Sequence, residues 1–339
     1  MFEELSKLKS ELVSAPQMSC INELLCTEKA NRTDLEEAAL YALESSLKLR
    51  KNECCKEWFE RKIEQLKCET CGQNCSSLLG EMRALGACYH VWKKKFKPSE
   101  SDEGGDFLAD DGLSWIIEVN TPGESGDARS VPSVTKSGRI TTEEQEICPF
   151  GSPPSGKNFR EGKHDNVQGE AVSKFAQIKQ DEHQFEKDKL NVLYVDLLDS
   201  KTQGMNVVSE QCVPFIAGPQ GIYVSGAIWW AMYGKKRDPI WSNYASEWYA
   251  GHPYLMEFDG KLNKKSKIDF VVFAMPSKTV VFQNPYRKIP QKAVLKMTKW
   301  NRFSLSESWL DIGFCCFRRK IVLKKLEIHR FINAMEKNK

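Results

Sequence analysis

A chain of 339 residues with 41% apolar and 28% charged residues has the composition of a folded globular protein and is too hydrophobic for a disordered one. No apolar run is long enough for a bilayer span, and the opening MFEELSKLKSELV resembles neither a secretion signal nor an arginine-rich transit peptide. The net charge of +3 is uneven: residues 261–339 hold 19 Lys and Arg against 5 Asp and Glu, a local +14, which leaves −11 on the first 260.

The length suits two domains, or one domain with a large appendage. A cytoplasmic or nuclear protein is expected, not secreted and with no membrane partner. The twelve cysteines, eight of them within the first 88 residues, are expected to stay reduced. So basic a C-terminal stretch points to a polyanionic partner, nucleic acid above all; the alternative is a solvated basic face.

Along the chain, residues 1–97 read as a Cys-rich helical hairpin region. Within RTDLEEAALYALESSLKLRKNECCKEWFERKIEQLK, apolar residues recur at three- and four-residue spacing: Leu35, Ala38, Ala39, Ala42, Leu43, then Trp58, Phe59, Ile63 and Leu66. Thr33 with Glu36 and Glu37 supplies an N-cap and an acidic first turn. The turn formers Gly72 and Asn74 in CETCGQNC separate this helix from a second, SSLLGEMRALGACYHVWKKKF.

Residues 98–299 read as a mixed α/β domain. It opens with the hairpin GGDFLADDGLSWIIEVN at 104–120, followed by a polar Gly/Ser/Pro-rich loop over 121–168. Then come a helix in GEAVSKFAQIKQDEHQFEKDK, a buried strand in NVLYVDLLD, a strand or strand-to-helix element in GIYVSGAIWWAMYG, and a second hairpin in KIDFVVFAMPSKTVVFQNP. Residues 300–339 read as a basic C-terminal helical segment.

The first hairpin carries chemistry. A three-residue loop Asp110-Asp111-Gly112, with Gly112 left-handed, pairs Ala109 with Leu113 and Asp106 with Ile116. One face then holds Phe107, Ala109, Leu113, Trp115, Ile117 and Val119, all apolar, and the other makes Asp106 and Glu118 diagonal neighbours. Two carboxylates held together repel unless a proton or cation compensates them. Mg²⁺ prefers such all-oxygen ligands, and a metal-bound water can attack a phosphodiester. The alternative is a pair of solvent-facing acids on an ordinary hairpin.

Asp106, eleven intervening residues and then Glu118-Val119-Asn120, with a helix and a buried strand to follow, resembles the PD-(D/E)xK nuclease superfamily over roughly residues 80–235. The resemblance implies a restriction-endonuclease-like core and Mg²⁺ ligation by Asp106 and Glu118. Asn120 stands where that family has its lysine, and a lysine moved to the next helix, Lys174 or Lys179, would replace it, with Gln177 on the same helix.

Other candidates are fewer. Cys68, Cys71 and Cys75, with Cys54, Cys55, Cys88 and His90 nearby in sequence, could hold zinc or act as small buried hydrophobes. His164 and His183 lack metal-ligand spacing, and Cys148 lacks an evident base. Lys235, Lys236 and Arg237 lie in an aromatic stretch suited to base stacking and phosphate contact, where Trp229 and Trp230 read as core and Trp241, Tyr244 and Trp248 as surface. Arg318, Arg319, Lys320, Lys324 and Lys325 would hold a nucleic-acid backbone. Together these features suggest a metal-dependent nuclease-like protein that cuts or only binds nucleic acid. The other class is a non-enzymatic adaptor that docks protein partners through its N-terminal helices.

Overall fold

The computed structural model describes residues 2–18, 21–22, 25, 34–99, 105–122, 128–134, 140–146, 167–179, 182–198, 211–212, 215–217, 223–240, 254–275, 279–303 and 314–315. The chain forms two compact units. One comprises Met1–Gly123, Lys179–Lys201 and Lys264–Cys316; the other takes Glu124–Ile178, Thr202–Asn263 and Phe317–Lys339.

The first unit is α/β, with its helices leading. They are α1 (Glu3–Glu11), α2 (Asp34–Leu47), α3 (Glu53–Cys68) and α4 (Gly72–Trp92). The single helix expected across the α2–α3 stretch is interrupted: a 3-10 turn at Lys48–Lys51 leads into extended Asn52 (φ −85, ψ 128). The run KLRKN buries no side chain fully and packs only Leu49, half-buried, against the core, which does little to hold the helix through it. Among the expected apolar positions, Ala38, Ala39, Leu43, Trp58, Phe59, Ile63 and Leu66 are buried. Thr33 lies outside the described residues.

The unit's strands are β1 (Phe96–Pro98), β2 (Phe107–Asp110) and β3 (Ser114–Asn120), then β6 (Leu190–Asp196), β11 (Phe270–Ala274), β12 (Thr279–Gln283) and β13 (Phe314–Cys315). They make one mixed sheet of order β1-β2-β3-β6-β11-β12-β13. Strands β1, β2 and β3 pair antiparallel, β3-β6-β11 parallel, β11-β12 antiparallel and β12-β13 parallel. The short helix α7 (Gln291–Met297) follows β12.

One hydrophobic core joins the N-terminal helices to one face of the sheet. Trp92 meets Trp115 at 5.2 Å and Trp300 at 5.7 Å between ring centroids, and Trp58 meets Phe107 at 5.8 Å. The border expected at residue 97 therefore falls inside β1 and does not divide one core from another.

The second unit holds β4 (Ala128–Val134) paired with β5 (Ile140–Glu146), so the tract expected as one long loop contains a hairpin. It also holds α5 (Val167–Gln177), the pair β7 (Phe215–Ala217) and β8 (Tyr223–Ser225), helix α6 (Ala227–Tyr233), and the pair β9 (Pro239–Ile240) and β10 (Tyr254–Leu255). Helix α5 stops well short of its expected length. Two residues on, Lys179 takes a left-handed backbone (φ 48), which ends an α-helix. Among the described residues, no helix is long and apolar enough to cross a membrane.

Candidate functional site

The site begins with the register of the β2–β3 hairpin. Phe107 pairs with Ile117, Ala109 with Trp115 and Asp110 with Ser114, so the loop is Asp111-Gly112-Leu113, one residue later than expected. Parity survives the two-residue change in pairing: Phe107, Ala109, Trp115, Ile117 and Val119 are all buried on the core face. The shift moves Asp106 from a diagonal position to one extending the ladder opposite Glu118. There its Oδ2 accepts a 2.7 Å hydrogen bond from the Val119 amide.

The turn is set from afar. Asp111 Oδ1 accepts from Trp115 Nε1 at 3.0 Å, and Asp111 Oδ2 lies 2.6 Å from Lys296 Nζ. Lys292 Nζ donates to the Asp111 carbonyl at 2.8 Å. Gly112 supplies the left-handed residue (φ 88).

Glu118 is no solvent-facing acid; it is 2% exposed. Lys179 Nζ lies 2.6 Å from its Oε1, with the lysine side chain 32% exposed. With its amide nitrogen turned toward the carboxylate, Gln184 donates at 2.8 Å to Oε1 and 3.3 Å to Oε2. Burial first, then the charges of Asp106 and Glu81, push the Glu118 carboxyl up to about 7 against the opposing pull of Lys179.

Glu81, on α4, belongs to the same electrostatic cluster. Burial and then Asp106 raise its carboxyl as well. Lys62 Nζ from α3 lies 2.5 Å from Glu81 Oε2 and 5.7 Å from the Trp58 ring centroid. Among the described residues, the carboxylates of Asp106, Glu118 and Glu81 face the ammonium groups of Lys62 and Lys179, an acid-rich cluster in a largely buried setting. A proton on Glu118 or an external cation would balance it.

Helix α4 also bears on the ends of β3 and β6. Arg83 donates to Asp196 Oδ2 through Nε at 3.0 Å and Nη2 at 2.5 Å, with side-chain exposures of 3% and 0%. Gly80 allows this close approach: a Cβ there would overlap Thr121 Oγ1 and sit 2.9 Å from Asp196 Oδ2.

Among the described residues, no group of three or more His, Cys, Asp or Glu side chains is arranged to hold a metal. A two-carboxylate Mg²⁺ site lies outside that description, because Mg²⁺ is commonly held by one or two carboxylates with waters and substrate phosphates completing the shell. The all-oxygen donors of Asp106 and Glu118, with the Glu81 carboxylate in the same electrostatic cluster, have the chemistry such a site needs.

The other expected residues lie elsewhere. Asn120 ends β3, half-buried, in register with Val195. Lys174 and Gln177 sit on α5, in the second unit, with Gln177 exposed. Cys75 is buried while Cys68 and Cys71 are exposed, all three free, so Cys75 serves the core and the three form no ligand group. His183 is exposed.

Lys235, Lys236 and Arg237 are exposed on the turn between α6 and β9. There the Lys235 amide donates to Asp238 Oδ2 at 2.7 Å, and Arg237 has φ 71. Trp229 and Trp230 are buried, meeting edge to face at 5.0 Å. His164, Cys148, Trp241, Tyr244, Trp248, Arg318, Arg319, Lys320, Lys324 and Lys325 lie outside the described residues.

Sequence reasoning missed Glu81, Lys62, Gln184, Arg83 and Asp196. The available signal was GEMR in the second helix, where an acid and an arginine interrupt an otherwise apolar stretch around a glycine. Compared with protein-family models, with curated proteins and with solved structures, the chain matches none of them.

Proposed function

We propose that this protein is a metal-dependent, nuclease-like protein acting on nucleic acid, with a PD-(D/E)xK-like core centred on Asp106, Glu118 and Lys179. The observation that carries the reading is the buried Glu118, opposite Asp106 and contacted by the one-third exposed Lys179. The element order supports it: helix α4, three antiparallel strands β1–β3, helix α5, then β6 parallel to β3. The left-handed backbone of Lys179 adds weight, because non-glycine residues in that region cluster at functional sites.

In this reading Asp106 and Glu118 would hold Mg²⁺, which lowers the pKa of a bound water and offsets charge on the phosphate. Lys179 holds the Glu118 carboxylate in place and presents an ammonium on the solvent side, where it can orient a water or a phosphate oxygen. Gln184 fixes the second Glu118 oxygen. Lys62 and Glu81 form the outer pair that keeps the local charge near balance. The free cysteines suit a reducing, cytoplasmic or nuclear setting.

The test is cleavage of plasmid and single-stranded DNA or RNA with Mg²⁺ and with chelator, for the parent, Glu118→Ala and Lys179→Met. Metal-dependent cleavage lost in both variants is expected, and cleavage that survives Glu118→Ala refutes the assignment. One observation favours a second reading. Lys179 and Gln184 together satisfy the Glu118 carboxylate within the chain, as in a scaffold that binds nucleic acid or a protein partner without cutting. Binding without cleavage by the parent would select it.

A further inference from the structure

The seven-stranded sheet is electrically polar along its strands. The carboxylate cluster and Asp196 lie toward the C-terminal ends of β3 and β6. At the other end, where β1, β3, β6 and β11 begin and β2 and β12 finish, the described segments 93–97, 110–111, 182–189, 264–269 and 287–299 adjoin the strand ends, with Gln184 reaching back to Glu118. They hold fourteen Lys and Arg against six Asp and Glu, a net +8. Within the strip Asp111 pairs with Lys296, Asp269 with Arg287, and Glu186 with Lys189.

Lys93, Lys94 and Lys95 are exposed beside β1, and Lys264 and Lys288 beside β11 and β12; Lys299 is exposed next to Trp300, which packs on Trp92. Tyr286 stands close to Lys264, whose Nζ is 5.9 Å from its ring centroid, and is 44% exposed. From β1 to β12 the row crosses five strand spacings, about 24 Å at ~4.8 Å each. The strand ends fix the spacing of the segments that carry these charges.

We infer that this end of the sheet is a backbone-binding surface for duplex nucleic acid, distinct from the carboxylate site and from the basic C-terminal segment. A duplex presents a charge about every 1.7 Å of its axis, so a rigid row of lysines neutralises several phosphates at once and releases their counterions. The strip contacts phosphates and reads no sequence. Tyr286 supplies an amphipathic ring against the sugar edge. The inference does not rest on cleavage, because binding of this kind persists with a dead carboxylate site.

The experiment measures anisotropy of a labelled random-sequence duplex of about 30 base pairs against the full chain in chelator, as a function of salt. The parent is compared with the fivefold variant Lys94→Ser, Lys95→Ser, Lys264→Ser, Lys288→Ser, Lys299→Ser, and with Lys→Arg at the same positions. Each phosphate contact contributes about 0.9 to the slope of log K against log salt. The serine variant is expected to bind at least about tenfold more weakly at ~0.1 M salt, with a slope shallower by about 2 to 4. The arginine variant keeps the parent's affinity. A parent slope near zero overturns the inference whatever the variants do. So does a serine variant that melts and binds as the parent does. A serine variant that loses anionic phosphatidylserine vesicles but keeps the duplex overturns it as well, in favour of a membrane surface.

Discussion

The burial of Glu118 beside the Asp106 carboxylate has a thermodynamic signature that needs no substrate. In the unfolded chain its carboxyl titrates at its ordinary value of 4.5, and in the folded metal-free protein at about 7. The folded state thus holds a proton that the unfolded state has released, so stability falls as pH rises between those two values and is level on either side. At about 1.4 kcal/mol per tenfold change in proton affinity, the gap amounts to at most ~3 kcal/mol. Glu118→Gln keeps the shape and an oxygen for Lys179 but cannot ionise. Relative to the parent, the variant should be nearly neutral at pH 4.5 and more stable by up to about 3 kcal/mol at pH 8. Urea unfolding of both proteins across this range, in chelator, measures the difference directly. A difference that stays flat from pH 4.5 to 8 would show that Asp106, Glu81 and burial do not act on Glu118 as described.

Two further outcomes follow from the packing of α4. Arg83→Met leaves the Asp196 carboxylate buried and unpaired from its guanidinium, and should cost about 3–5 kcal/mol in urea unfolding. Adding Asp196→Asn should recover more than half of that. Gly80→Ala drives a methyl into Thr121 Oγ1 and should cost about 1–3 kcal/mol, read as a lower melting temperature. Thr121→Ala in the same background should return part of the loss, whereas an unchanged melting temperature would deny the close approach.

The apolar alternation of 107–119 made the hairpin legible, because burial of one face enforces period two whatever the turn does. The register was not legible. Asp110-Asp111-Gly112 and Asp111-Gly112-Leu113 are both acceptable loops locally. What fixes the turn is a pair of lysines on α7, remote in sequence, that bind Asp111. The same limit hid the helical half of the cluster. Glu81 and Lys62 look like ordinary polar positions on amphipathic helices until α3 and α4 lie against each other, and Gln184 falls in a stretch expected to be helical throughout. Lys179 came into view through family resemblance, yet its left-handed backbone follows no local glycine or asparagine rule. The strands β6, β11 and β12 were plain in the sequence, as continuous β-branched and aromatic runs are when both faces are covered.

The bond from the Val119 amide to Asp106 makes the acidic pair inseparable from the zipping of its own ribbon. The donor lies one residue beyond Glu118, and the acceptor just ahead of the first paired residue, so the clasp closes only when every rung between them is in its final place. A chain caught two residues out of step keeps its greasy side intact and still loses the juxtaposed acids. Chemistry at this location therefore reports on the last increment of strand assembly, and a misthreaded molecule is silent without being unfolded.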